Sequence, residues 1–200
     1  MKDSRNKYRE ENKSRATPEA VALDQTEINK LVERAAGGDF EAFGELYSIY
    51  LDRIYRYVFY QIKDKMAAED TTEEIFVKAW KAIDSCKGKE QTFLPWLYRI
   101  AHNYVIDIFR SKQKELVVEM ETVAEISDHR PGVEIELEHQ QLLDMITSLP
   151  QNQRQVIILK FIEGLDNREI GQIMHKNQGA IRILQMRALA ALRRRLSRDK

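Results

Sequence analysis

The residues best suited to chemistry lie near the end of the chain, in the run LDNREIGQIMHKNQGAIRILQMRALAALRRRL, residues 165–196. The chemistry they suit is hydrogen bonding to nucleic acid. Gly171 supplies a small residue in a first short helix, where a second helix must cross closely. His175 follows at the position that needs left-handed backbone, a conformation for which His is among the enriched residue types. Ile181 supplies the branched apolar residue that seats the second helix. This spacing predicts a helix-turn-helix, which lays the start of its second helix in the major groove. Gln178, Arg182 and Gln185 then face base edges. Arg pairs with guanine and Gln with adenine. Arg168, Lys176 and Arg187 are placed for phosphates.

A second constellation lies earlier. The stretch from Phe93 to Lys112 carries Phe93, Trp96, Tyr98, Arg99, His102, Asn103, Tyr104 and Arg110, and the loop before it adds Lys87, Lys89 and Gln91. Aromatic rings interleaved with cations suit stacking on unpaired bases and holding their backbone. Single aromatics on a helix are core more often than not, so Trp96 and Tyr104 also read as core or boundary residues. Catalytic patterns are missing. His102, His129, His139 and His175 share no metal-ligand spacing, no serine sits in a nucleophile elbow, and there is no Walker glycine loop. Cys86 is the sole cysteine, which excludes a disulfide framework and a CxxC metal pair. The expectation is a non-enzyme with no cofactor and no metal, housed in a reducing cytoplasm.

These residues need elements to hold them. The chain has 200 residues, 43% hydrophobic and 32% charged, with only 8 Gly and 4 Pro. That composition favours helices. No apolar run approaches a membrane span. The polar opening of the chain lacks the apolar core of a secretory signal. Residues 1–24 have no periodicity and read as a disordered arm. From Thr26 the apolar spacing is helical, with stops at Gly37 and Gly38. A long stripe from Phe40 to Ile62 marks a core helix, Met66–Asp84 a third and Phe93–Lys112 a fourth. Residues 113–132 lose the pattern and read as an acidic linker. Helical signal returns over 133–200, broken at Leu149-Pro150 and Gly164. The expected fold is all-α, two small helical domains joined by that linker, the second a helix-turn-helix domain.

Formal charge is zero, yet unevenly spread. Residues 112–144 hold 3 basic and 9 acidic residues, and residues 145–200 hold 11 and 4. A basic module behind an acidic tether suits nucleic acid. From the residues alone, a dimeric helix-turn-helix regulator and a helical adaptor both remain open readings.

Three further stretches, in order, carry a family resemblance: AEDTTEEIFVKAWKAI (68–83), TFLPWLYRIAHNYVIDIFR (92–110), and LPQNQRQVIILKFIEGLDNREIGQIM (149–174) with the helix after it. Together they resemble a bacterial RNA polymerase sigma factor of the extracytoplasmic-function type. The resemblance implies an initiation factor that binds core polymerase, directs it to promoters and helps melt the −10 element. Asp70, Glu73, Glu74, Phe76 and Trp80 match the helix that docks on the clamp coiled coil of β′. Lys87, Gln91, Phe93, Trp96, Arg99, Asn103, Asp107 and Arg110 match the −10 surface, with loop 85–92 as the segment that captures a flipped base. Gln151–Leu165 matches the helices that grip the β flap, and 165–196 the −35 reader. The implied partners are core polymerase and promoter DNA, duplex and single-stranded. The family leaves room for an anti-sigma factor, and the chain is expected to be monomeric when free and to insert in no membrane. Glu73 stands where Gln is usual, Lys176 where an apolar turn residue is usual, Ala180 where Thr or Ser is usual, and Leu184-Gln185 reverse the common order.

Overall fold

The computed structural model describes residues 24–86, 93–119 and 137–197. The described residues contain no strand. The arm, the loop residues Lys87 and Gln91, and most of the acidic linker lie outside them.

Short polar residues start five of the helices. Asp24 opens α1 (Gln25–Ala36) with a capping box closed by Glu27. Asp39 accepts from Glu41 and Ala42 to open α2 (Phe40–Ile62), and Asp64 caps α3 (Lys65–Ala82). Such side chains satisfy amide groups that a helix start leaves bare. The amides of Ala42 and Glu41 and the guanidinium of Arg34 also hold the Asp39 carboxyl below the usual range. Lys63, with φ +63°, turns the chain between α2 and α3 in left-handed conformation. A short 3-10 turn, Ile83–Cys86, ends α3.

The fourth helix, α4 (Phe93–Glu119), runs seven residues past the predicted end. Helices α1 to α4 form the front domain. Leu46, Ile54, Tyr57, Ile75, Trp96 and Leu97 fill its core, each at most 1% exposed.

The back domain begins with α5 (Leu137–Thr147). Next comes α6 (Gln151–Ile157), continued by a π turn, Ile158–Ile162. Glu163 N–H bonds back to the Ile158 carbonyl at 3.0 Å, and Gly164 then reverses the chain at φ +75°. Helices α7 (Asn167–Met174) and α8 (Gln178–Leu196) come last, capped by Asp166 and Asn177. Ile146, Ile158, Leu159, Ile170 and Ile181 form its core.

The two domains pack on one another. Helix α4 lies against α7, and the π turn lies against α2.

Candidate nucleic-acid interface

The turn between α7 and α8 has the predicted geometry. His175 adopts φ +52°, ψ +44°, and its N–H bonds to the Gly171 carbonyl. Ile181 is fully buried. The close approach at Gly171 comes from the turn rather than from the second helix. A Cβ there would lie 2.6 Å from the Lys176 carbonyl oxygen. The Lys176 N–H in turn bonds the Gly171 carbonyl at 2.9 Å. Gly171 therefore closes the motif at backbone level.

On α8, Gln178, Arg182 and Arg187 are exposed, as base and phosphate readers must be, and Arg168 is exposed at the start of α7. Gln185 departs from expectation. Its side-chain amide donates to Asn167 Oδ1 at 2.8 Å, tying α8 to α7. It holds the two helices rather than standing free to read a base. Lys176 is half-buried and faces the front domain. In this arrangement it is turned away from a phosphate role.

The α4 surface is divided. Asn103, Asp107 and Arg110 are exposed along one side, and Asp107 and Arg110 lie 3.7 Å apart. Arg99 is half-buried. Phe93 and Trp96, expected on the −10 surface, are each 1% exposed. Phe93 stacks between Tyr50 and Trp96, with ring centroids 5.2 and 5.4 Å away. Trp96 Nε1 donates to Ser85 Oγ at 3.1 Å. A ring so enclosed cannot stack on a base, so both residues are corrected from surface to core. Their packing does pin the two ends of loop 87–92, at Ser85 and at the start of α4.

The docking helix α3 is divided in the same way. Asp70, Glu73 and Glu74 are exposed, whereas Phe76 is 3% exposed and belongs to the core. Trp80 is half-buried in an aromatic cluster, 4.5 Å from Phe40 and 5.0 Å from Phe43 between ring centroids. Phe40 itself is 74% exposed. With Phe43, Tyr47, Val77 and Trp80 it lines an apolar cavity of about 330 Å³ that Glu73 borders. The sequence pattern places Phe40 in the core stripe. The structure places it at the rim, where α2 begins and its ring packs against Trp80.

A polar cavity of about 530 Å³ separates α4 from the turn of the helix-turn-helix. His102, Asn103, Asp107 and Arg110 line one side, and Met174, His175 and Lys176 the other. His102 is 7% exposed, and its Nδ1 has no partner among the described residues. Burial first, then the His175 and Lys176 charges, push its pKa down to about 4.

Sequence reasoning gave no joining role to the polar groups that link the domains. Arg53 and Arg56 on α2 converge on Glu163, as does the Tyr98 hydroxyl, which donates to it at 2.5 Å. Burial and the Glu163 charge push the Tyr98 pKa up. Arg154 reaches the Gln61 carbonyl of α2 at 2.9 Å, and burial pushes its pKa down. No sequence signal distinguishes these charges from solvated ones.

The comparisons agree with this architecture. Residues 46–115 match the family Sigma-70 region 2, and residues 139–192 match Sigma-70, region 4. The chain is 38% identical over 184 residues to the ECF RNA polymerase sigma factor BldN of Streptomyces coelicolor, covering 90% of this chain and 70% of that one. It is 32% identical over 182 residues to the ECF RNA polymerase sigma factor SigW of Bacillus subtilis, covering 84% and 96%. The solved structure of CnrH in complex with the cytosolic domain of CnrY has the same fold, with a TM-score of 0.69 at 24% identity over 87% of this chain and 99% of that one. With both sigma-70 regions matched in order on two helical domains, the chain belongs to the extracytoplasmic-function sigma factors of RNA polymerase, a family of transcription initiation factors.

Proposed function

We propose that the chain recruits core RNA polymerase through α3 and reads promoters with α4 and α8, catalysing no reaction itself. The observation that carries this reading is the pairing of a closed helix-turn-helix with an acidic, aromatic docking ridge in one chain. Asp70, Glu73 and Glu74 stand exposed beside the Phe40, Phe43 and Trp80 cluster. The rings supply apolar area to bury, and the carboxylates select a basic partner, setting encounter rate and register. That suits the clamp coiled coil of β′. Phe161, 58% exposed on the π turn, offers a second apolar contact for the β flap.

Duplex reading falls to Gln178, Arg182, Arg187 and Arg168 on the helix-turn-helix. Single-strand holding falls to Arg99, Asn103, Asp107, Arg110 and the loop 87–92. Extruding a base costs a few kcal/mol, which a pocket can offset by stacking and edge hydrogen bonds. The protein would work in the cytoplasm, as a monomer when free. An anti-sigma factor is proposed as a further partner, since the sigma factor RpoE from Bartonella quintana, similar in fold with a TM-score of 0.67, is solved in complex with the anti-sigma factor NepR.

The test is a binding assay with purified core polymerase, and then run-off transcription that depends on the added chain. One-to-one binding by the intact chain, lost on charge reversal at Asp70, Glu73 and Glu74, is the expected result. A chain that binds promoter duplex but never core polymerase would instead be a free-standing regulator.

A further inference from the structure

Helix α8 shows solvent two apolar side chains among its cations. Ile181 and Ala188 are buried on one side of it. On the opposite side Gly179, Arg182, Ile183, Met186 and Ala190 are all exposed. Ile183 is 48% exposed and Met186 64%. From Gly179 these residues recur at helical spacing, so they form one stripe along the helix. Single apolar residues scattered over a surface are ordinary. These are aligned, and they share the stripe with Arg182. A helix lying in the major groove reaches base edges through positions spaced in this way.

The border of the stripe says what it meets. Arg182, Arg187, Arg193 and Arg194 flank it, all exposed, and α8 contains no carboxylate. An apolar strip between cations suits a polyanion with apolar groups inside its groove. Duplex DNA has one such group on its major-groove base edges, the C5-methyl of thymine. Ile183 and Met186 have no hydrogen-bond donor to offer a base. Set against the amino group of cytosine or adenine, they would strip its water and return nothing. Set against a methyl, they bury apolar surface on both sides. Gln185 does not compete for this role, because its amide is held by Asn167.

We propose that Ile183 and Met186 are specificity-determining residues that read thymine C5-methyl groups in the promoter duplex, beside the base that Arg182 addresses. This rests on the reading of α8 as the duplex reader. The two side chains divide the task. Ile183 is branched at Cβ and stiff, so it rejects a misplaced base edge as well as contacting the right one. Met186 is unbranched and adapts to the groove wall.

The experiment uses the full chain bound to core polymerase. Its preferred −35 duplex is selected from a randomised pool. Each thymine in that duplex is then replaced by deoxyuridine, which removes the methyl and keeps the pairing edge. At least one replacement should weaken binding about fourfold, the worth of one buried methyl-sized group. Ile183→Ala or Met186→Ala should abolish that sensitivity at its own thymine. Both side chains are exposed, so the melting of each variant should match that of the unaltered chain. Equal sensitivity in the variants and the unaltered chain would assign the effect to duplex shape and overturn the proposal. Sequence-selective binding indifferent to every deoxyuridine, or a selected element without thymine, would overturn it while leaving α8 as the reader. Binding that selects no sequence at all would overturn the reading of α8 itself, and the proposal with it.

Discussion

At the scale of single residues, the helix-turn-helix turn shows how little freedom the backbone leaves. Gly171 has the Lys176 carbonyl oxygen 2.6 Å from where a Cβ would sit. A backbone atom cannot swing aside as a side-chain tip can. Gly171→Ala should therefore destabilise the back domain by about 1–3 kcal/mol, although alanine is the better helix former. Denaturant melting of the full chain checks this, and an unchanged or raised midpoint would refute it. His175 is the mirror case. Its left-handed backbone was readable because helix-turn-helix spacing demands one such residue and His tolerates it. The close approach at Gly171 was readable only in kind. The sequence called for a small residue, but which atom crowds it depends on the path of the turn. Gln185 shows the same limit. Its register pointed to a base, and the structure gives its amide to Asn167.

At the scale of elements, periodicity revealed the helices and misjudged which face of them works. A run of Phe, Trp, Tyr and Arg along α4 reads as a stacking surface, because spacing alone does not tell an inward ring from an outward one. Phe93, Trp96 and Tyr98 all point inward, and Asn103, Asp107 and Arg110 remain outside. Trp96→Ala should thus cost about 3–5 kcal/mol of folding stability, as aromatic truncations in cores do. Polymerase binding and promoter opening should then fall together as folded protein is lost. A stable Trp96→Ala chain defective in opening alone would return the ring to a DNA contact. On α8 the exposed side is unobstructed at Arg182. Arg182→Ala should cost about 1–3 kcal/mol at the preferred −35 sequence and narrow the gap to other sequences. Equal loss on every duplex would make Arg182 a phosphate contact. The end of α4 was also misplaced. Helix continues to Glu119 through KQKELVVE, where acidic composition suggested a linker, since Lys, Gln, Glu and Leu are themselves good helix formers.

At the scale of the whole molecule, the two helical domains were legible and their contact was not. Composition, breaks at glycine and proline, and the charge shift separate the front half from the back. Nothing in the order of residues pairs Glu163 with Arg53 and Arg56, because such contacts join positions more than a hundred apart. The same contact places His102 where its titration matters. In the folded chain its pKa is about 4, against the ordinary value of 6.5. Across the cavity it faces His175 and Lys176, and from its own helix Arg110 and Asp107 line the same side, Asp107 exposed on the rim. A neutral His102 is therefore favoured in the closed fold. Its contribution is fully present above pH 6.5 and is lost as pH falls towards 4, because the opened or unfolded chain takes up the proton first. The loss amounts to at most about 3 kcal/mol. Since the ring sits between domains, opening should relieve the buried charge before either domain melts. Scattering from the full chain should thus report a larger radius of gyration at about pH 5 than at about pH 7, as linkage requires. His102→Gln, which keeps a polar side chain without the titration, should flatten that dependence. Equal expansion of the His102→Gln chain would shift the cause to other groups, and no expansion of the wild-type chain would mean that the cavity accommodates a charged imidazole.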